Sequence, residues 1–319
     1  VMENDFPSKK QARYTTSTHI TDKLIEQQAE EDDLQNIKPL KIVVDAANSV
    51  AKLDIEALFE KLPQIELIKL NFQLDGRFPS HPADPLEEEN LRVLKAAVLE
   101  HQADLGLAPD GDGDRYFFVD EKGQSVRQEI LRGIMAQIAL KENPNSVICY
   151  DIRPGKITLD MIEEAGGKPS VTRVGHSLIK EQMIKEDAPF GGESSGHYFY
   201  KTEYGTFEAP TILLTKFLRF ISKKDKPLSE IIEPLQKYHH SGEINSKVDD
   251  PQAKIKQLEE EYSDANNTSK LDGITIEYDD FWFNVRASNT EPKLRLNLEA
   301  VDKETMEEKR DQVLKIIRS

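Results

Sequence analysis

The feature that most constrains the fold is a strand-period run followed by a helix-period run, met again and again over the first 240 residues. Lys41-Ile42-Val43-Val44-Asp45 is a short β-branched run, the pattern of a buried strand. Ile55, Leu58, Phe59 and Leu62 follow at i, i+3, i+4 and i+7, the apolar stripe of a helix. Glu66–Leu70 predicts a second strand, Leu91, Leu94 and Val98 a second helix, and Ala103–Ala108 and Tyr116–Val119 two strands around a Gly/Asp loop. The pattern then starts again. Ile130, Leu131, Ile134, Met135 and Ile138 share one helix face, Ser146–Tyr150 reads as a strand, and a helix over Leu159–Ala165 stops at Gly166-Gly167, as a glycine C-cap stops one. The apolar stretch Ile212–Ile221 reads as the last helix of this second unit. Such alternation predicts layered α/β domains.

After His239-His240-Ser241-Gly242 the texture changes. A polar helix (Ile255, Leu258, Tyr262), strand runs at Gly273–Tyr278, Phe281–Val285 and Leu294–Ala300, and a closing helix ending at Ile316-Ile317 predict a small α+β domain. The expected division is 1–38, polar and without a core of its own; 39–125 and 126–238, both α/β; and 239–319, α+β. The first stretch holds a helix-like segment, Ile20–Ile25, and an acidic run, Glu30–Asp33, while His239 and His240 read as linker residues. There is no internal sequence repeat.

Composition narrows the function. Lys plus Arg is 42 and Asp plus Glu is 58, so the net charge is 42 − 58 = −16. That balance argues against a general nucleic-acid binder, which needs clustered Lys and Arg against phosphate. The lone Cys149 allows no internal disulfide and no cysteine-built zinc site. No apolar run approaches the ~18–20 residues of a membrane span. A soluble, cytoplasmic protein is expected, and the oligomeric state stays open.

Asp110-Gly111-Asp112-Gly113-Asp114-Arg115 is the strongest local motif. Carboxylates at every second position, separated by glycines, can curl around one hard cation, Mg²⁺ or Ca²⁺. A calcium EF-hand loop would also align Asp110, Asp112, Asp114 and Glu121, but it needs glycine where Arg115 stands, and helices where strands are predicted. An arginine beside the metal suits a cation and a guanidinium aimed together at a phosphoryl group. Gly191-Gly192-Glu193-Ser194-Ser195-Gly196-His197 packs a carboxylate, hydroxyls and an imidazole among small residues, a way to hold sugar hydroxyls. Arg286-Ala287-Ser288-Asn289-Thr290 lies between two strands, with Arg295 on the second; these are phosphate-binding side chains on a turn that also offers backbone N–H groups. Arg173-Val174-Gly175-His176 and Asp151–Lys156 are weaker candidates.

Taken together and in this order, the motifs resemble those of the α-D-phosphohexomutases, the phosphomannomutase/phosphoglucomutase superfamily, from about Leu40 to the end of the chain. Thr172–Ser177 and Asp75–Pro82 also look like segments of that family. The resemblance implies two related α/β/α domains followed by a TATA-binding-protein-like C-terminal domain. It implies Mg²⁺ on Asp110, Asp112 and Asp114, and Arg115 on the transferring phosphate. Glu193, Ser195 and His197 would hold sugar hydroxyls, while Arg286, Ser288, Asn289 and Thr290 would clamp the non-reacting phosphate with Arg295 beside them. Arg153 and His176 would be secondary cleft contacts, His176 a candidate proton shuttle. The activity implied is interconversion of hexose 1-phosphate and hexose 6-phosphate (mannose or glucose) through a phosphoserine and a hexose bisphosphate.

The departures matter as much. The family's nucleophile sits in a Ser-His-Asn-Pro-type loop of a first domain, and no such string occurs here; Ser17-Thr18-His19 and Ser80-His81-Pro82 do not fit it. Asn48-Ser49-Val50-Ala51 stands where the family places glycines, and Pro109 precedes the aspartates. The expectation is domains two to four of a mutase, with 1–38 the end of a first domain, binding metal and sugar phosphate but inactive alone. The alternative is a non-catalytic sugar-phosphate-binding or regulatory module derived from the mutase; a metal-dependent phosphatase fits less well, for want of a nucleophile.

Overall fold

The computed structural model describes Thr21, Lys23, Ile25 and residues 34–153, 155–288 and 292–319. The acidic run Glu30–Asp33, half of Ile20–Ile25, and Asn289 and Thr290 lie outside the described residues.

Strands β1 (Leu40–Asp45), β2 (Ile65–Leu70), β3 (Leu105–Pro109) and β4 (Tyr116–Asp120) form the first sheet in the order β2-β1-β3-β4. β1 runs parallel to β2 and β3, and β4 returns antiparallel along β3. The period of two sorts the side chains. Val43, Ala108, Phe117 and Val119 face the helix Arg92–His101 through Leu94 and Val98, while Ile42, Val44, Leu105, Leu107, Tyr116 and Phe118 face the other way.

The second sheet repeats this plan. Strands β5 (Val147–Asp151), β6 (Lys168–Thr172), β7 (Phe190–Gly192), β8 (Tyr198–Thr202) and β9 (Gly205–Glu208) take the order β6-β5-β7-β8-β9. β5 is parallel to β6 and β7, with β8 and β9 as antiparallel returns. The two sheets therefore share one four-strand topology although the sequence shows no repeat. They also share one core: Phe118, Ile130, Ile134, Phe190, Leu214 and Phe217 belong to a single buried cluster. Each Leu- or Phe-sized side chain buried there contributes about 1.5–3 kcal/mol, which binds the two layers into one body. Ile25, Leu34 and Ile37, from the stretch expected to lack a core of its own, are buried in this same cluster.

The third sheet is antiparallel. Strands β10 (His239–His240), β11 (Ile244–Lys247), β12 (Asn267–Ser269), β13 (Ile274–Glu277), β14 (Phe281–Ala287) and β15 (Lys293–Ala300) take the order β10-β15-β14-β13-β12, with β11 also pairing β15. Phe283, Val285, Leu294, Leu296 and Leu298 pack against Leu258, Val313 and Ile317 of the helices Pro251–Glu261 and Lys303–Arg318. This completes the predicted class: two related α/β layered domains followed by a small α+β domain.

Three local expectations need correction. His239 and His240 are not linker: they pair with Ala300 and Glu299 at the edge of the third sheet. The helix placed at Leu159–Ala165 spans Lys156–Glu164, because Gly155 in extended backbone starts it earlier; Gly166 at φ +74° then ends it. The helix over Ile212–Ile221 is not the last before the third domain, for Leu228–Ile232 follows it, with Leu228 and Ile232 buried in the shared core.

Candidate active site

The carboxyl ends of the parallel strands carry the polar residues, the usual place for a site in an open α/β sheet. The aspartate loop joins β3 to β4, so strands and not helices flank it. Asp110 is buried and organises the turn: its Oδ1 accepts the N–H groups of Gly113 and Arg115, and its Oδ2 accepts Arg115 Nε at 2.6 Å. Gly113 has φ +80°, and a Cβ there would stand 2.9 Å from Ala51 Cβ. The departure at Asn48–Ala51 thus packs against the loop. Ala47 and Asn48 adopt positive φ of 45° and 61° without a glycine, and Asn48 Nδ2 secures the bend by donating to Gln73 O at 2.7 Å.

Asp110, Asp112 and Asp114 bring carboxylate oxygens within 4.8 Å of one another. Asp114 Oδ1 is buried with no hydrogen-bond donor among the described residues. Burial, opposed by His197 and aided by the charges of Asp110, Glu208 and Asp112, pushes the Asp114 carboxyl up to about 6. An all-oxygen set with an orphaned buried oxygen fits a hard dication, which would relieve both the desolvation and the like-charge repulsion.

The sugar-loop candidate, Glu193–His197, joins β7 to β8, the same topological position as the aspartate loop in the first sheet. Glu193 is buried and held at both oxygens: Oε1 accepts Gly175 N–H at 2.8 Å and Oε2 accepts Ser195 Oγ at 3.3 Å. That bond draws His176, which opens the helix His176–Glu186, over the loop, so His176 Nε2 lies 3.2 Å from His197 Nδ1. His197 Nδ1 stands 3.5 Å from Asp114 Oδ2, where the two loops meet. Burial alone would pull the His197 imidazole down; the carboxylates of Glu208 and Asp114 outweigh it and hold it above its ordinary value.

An ion network centred on fully buried Arg132 and Asp151 supports this loop. Arg132 donates to Thr158 Oγ1 and to Ser194 Oγ, and lies 3.6 Å from Asp151 Oδ1. Ser194 Oγ donates to Asp151 Oδ1 at 2.7 Å, and Arg153 Nε to Asp151 Oδ2 at 2.9 Å. Burial would raise the Asp151 carboxyl, but Arg153, Arg132 and the Ser194 hydroxyl hold it below the usual carboxylate range. Arg153 in turn is held above its ordinary value: burial opposes this, Asp151 dominates, and Glu193 and Glu243 add to it.

In the third domain Arg286 and Arg295 are paired across β14 and β15. They are not a free basic focus. Glu243 bridges them, accepting Arg286 Nη2 at 3.0 Å and Arg295 Nη1 at 3.3 Å. Arg286 Nε and Arg295 Nε are buried without an acceptor among the described residues. Ser288 N–H closes the turn onto Lys293 O at 2.9 Å.

Sequence reasoning missed Glu208, Glu243 and Arg132. Glu208 ends β9 and places Oε1 2.5 Å from His176 Nε2 and 2.8 Å from His197 Nδ1. Nothing in the local spacing around any of the three marks it; Glu208 reaches the site through the β8–β9 hairpin and the other two through folding of the chain between elements.

Comparison with known proteins gives one answer. Family models for phosphoglucomutase/phosphomannomutase α/β/α domain II, α/β/α domain III and the C-terminal domain match residues 19–123, 129–238 and 243–316. A phosphomannomutase of Methanocaldococcus jannaschii is 42% identical over 277 residues, which cover 87% of this chain and 61% of that protein. A phosphomannomutase of Escherichia coli is 37% identical over 306 residues, covering 93% and 67%. The crystal structure of a phosphoglucomutase/phosphomannomutase family protein from Burkholderia thailandensis matches with a TM-score of 0.83 at 31% identity, over 93% of this chain and 64% of that one. The chain thus spans about three fifths to two thirds of the length of these relatives.

Proposed function

Because the chain belongs to the phosphoglucomutase/phosphomannomutase family, we propose that its residues form the metal-, sugar- and phosphate-binding parts of a phosphohexomutase. The reaction is the interconversion of mannose or glucose 1-phosphate with the 6-phosphate through a phosphoserine and a hexose bisphosphate, the serine lying outside these 319 residues. The observation that carries the reading is the meeting of loops, which brings Asp114 Oδ2 and His197 Nδ1 to 3.5 Å.

Asp110, Asp112 and Asp114 would hold Mg²⁺, which supplies charge neutralisation to the transferring phosphoryl group. Arg115, fixed by Asp110, faces the same group. Glu193, immobilised by the Gly175 N–H, accepts sugar hydroxyls, and Ser195 and His197 flank it. His176 and His197, with nitrogens 3.2 Å apart, can pass a proton between the reacting hydroxyl and Glu208. Arg286, Arg295 and Ser288, together with Asn289 and Thr290, fix the phosphate that is not reacting. Positioning of this kind is most of what phosphoryl transfer requires.

The test is calorimetric titration of the chain with mannose 6-phosphate in Mg²⁺, beside an assay of mannose 1-phosphate to 6-phosphate conversion with a bisphosphate activator. Binding without turnover is expected, and Arg286→Ala should weaken binding by roughly 1.5–3 kcal/mol if its hydrogen bond to phosphate is charge-assisted. Robust turnover by this chain alone would overturn the assignment of the serine, and an unchanged affinity that of the clamp.

A further inference from the structure

We infer that Asp114, His176, His197 and Glu208 form a second metal site, for a transition-metal dication of the Zn²⁺ class, sharing only Asp114 with the three-aspartate group; because the metal would occupy the ring nitrogens proposed above to pass a proton, its binding excludes that proton transfer. The four offer ligand atoms that all lie within 4.8 Å of one another. They come from four places in the chain: the β3–β4 loop, the first turn of the helix His176–Glu186, the β7–β8 loop and the end of β9.

The donor set is the first argument. Two imidazole nitrogens and two carboxylate oxygens are what Zn²⁺ and its neighbours prefer, whereas Mg²⁺ and Ca²⁺ select oxygen alone. Geometry is the second. Bonds of about 2.0–2.1 Å in a tetrahedral site put ligand atoms roughly 3.3 Å apart. Two observed separations lie near that value, 3.2 Å between the two nitrogens and 3.5 Å for His197 Nδ1 to Asp114 Oδ2; the Glu208 Oε1 contacts, 2.5 Å to His176 Nε2 and 2.8 Å to His197 Nδ1, are shorter and would open by roughly 0.5–0.8 Å to admit the ion.

The supporting contacts are also those of a built site. Ligand imidazoles need fixed orientation. The His176 ring meets the edge of Phe199 at 5.2 Å and the His197 ring at 4.5 Å between centroids, and Glu193 anchors the turn before His176 through Gly175. Access is open on one side, since the His176 side chain is 39% exposed while those of Glu208 and His197 are 16% and 17%. A metal could therefore enter past His176 and close the remaining three ligands around itself.

Titration of the chain with Co²⁺ in excess Mg²⁺ reads the site directly, because a tetrahedral mixed nitrogen–oxygen Co²⁺ centre absorbs strongly in the visible and an octahedral all-oxygen one does so weakly. The expected result is a saturable strong band, bleached by Zn²⁺, whose affinity falls more than tenfold in His176→Ala and in Glu208→Gln but which persists in Asp112→Asn. Circular dichroism of each metal-free variant checks its fold, and Glu208→Gln serves if His176→Ala does not fold. A weak band alone, a band unchanged in both His176→Ala and Glu208→Gln, or a band lost in folded Asp112→Asn would overturn the inference. Hexose phosphate binding plays no part in the readout, so this test can fail while the proposed function stands.

Discussion

Glu243 sits where an anion would have to act. One carboxylate spans Arg286 Nη2 at 3.0 Å and Arg295 Nη1 at 3.3 Å, so it offsets one of the two positive charges that the phosphate-binding reading assigns to this face. Glu243→Gln keeps the length and one acceptor but removes the charge. A phosphate dianion taking neighbouring N–H groups of the same guanidinium groups, roughly 5 Å from that carboxylate, would meet a Coulomb repulsion in water of about 1.7 kcal/mol. Physiological salt reduces it to about 1 kcal/mol. The expected result is therefore roughly five- to tenfold tighter binding of inorganic phosphate and of mannose 6-phosphate. The effect should be larger in dilute buffer and should shrink as salt is added. Calorimetry at two ionic strengths measures it. Weaker binding in the variant would refute the reasoning, because it would mean that Glu243 aligns the arginines for phosphate more than it competes with phosphate for them.

Two further outcomes concern the frame that holds the site. Glu299 of β15 is buried between domains, accepting Lys156 N–H at 2.7 Å and Trp282 Nε1 at 2.8 Å, and burial pushes its carboxyl up from 4.5 to about 7. The folded state thus holds the proton more tightly than the unfolded one, so stability is full below pH 4.5 and falls as pH rises through 7, by about 3 kcal/mol in all. Urea melts of Glu299→Gln across pH 4.5 to 8 should lack that component of the slope; curves parallel to the parent chain would contradict it. Asp151→Asn removes the charge that faces fully buried Arg132 and part-buried Arg153; breaking a buried pair costs about 3–5 kcal/mol, so a clear fall in Tm is expected, with weaker hexose phosphate binding because Ser194 loses its anchor. An unchanged Tm would show that the network is not holding the loop.

What the sequence made legible, and what it hid, follows from where each interaction is encoded. Strand and helix in β1 and the segment after it could be read because their apolar residues recur at two different periods within one short window. The aspartate loop could be read because its carboxylates are consecutive in the chain and alternate with glycine. Glu208 and Glu243 have no such signature: each is a single acid in a chain with many, and only the pairing of β9 with β8, or the turn before β11, brings it to its partners. His239-His240 was hidden for the opposite reason, since a two-residue edge strand has no period at all. Isolated apolar residues such as Ile25 and Leu34 likewise carry no pattern until a core exists to receive them. The deepest regularity was also the least visible. The aspartate loop follows β3 and the Glu193–His197 loop follows β7, each at the turn from the last parallel strand into its antiparallel return. Two sheets of one topology, packed through one core, bring those equivalent turns together at Asp114 and His197. The two loops share strand order and position but not residue types, so the repeat is visible in topology and not in sequence.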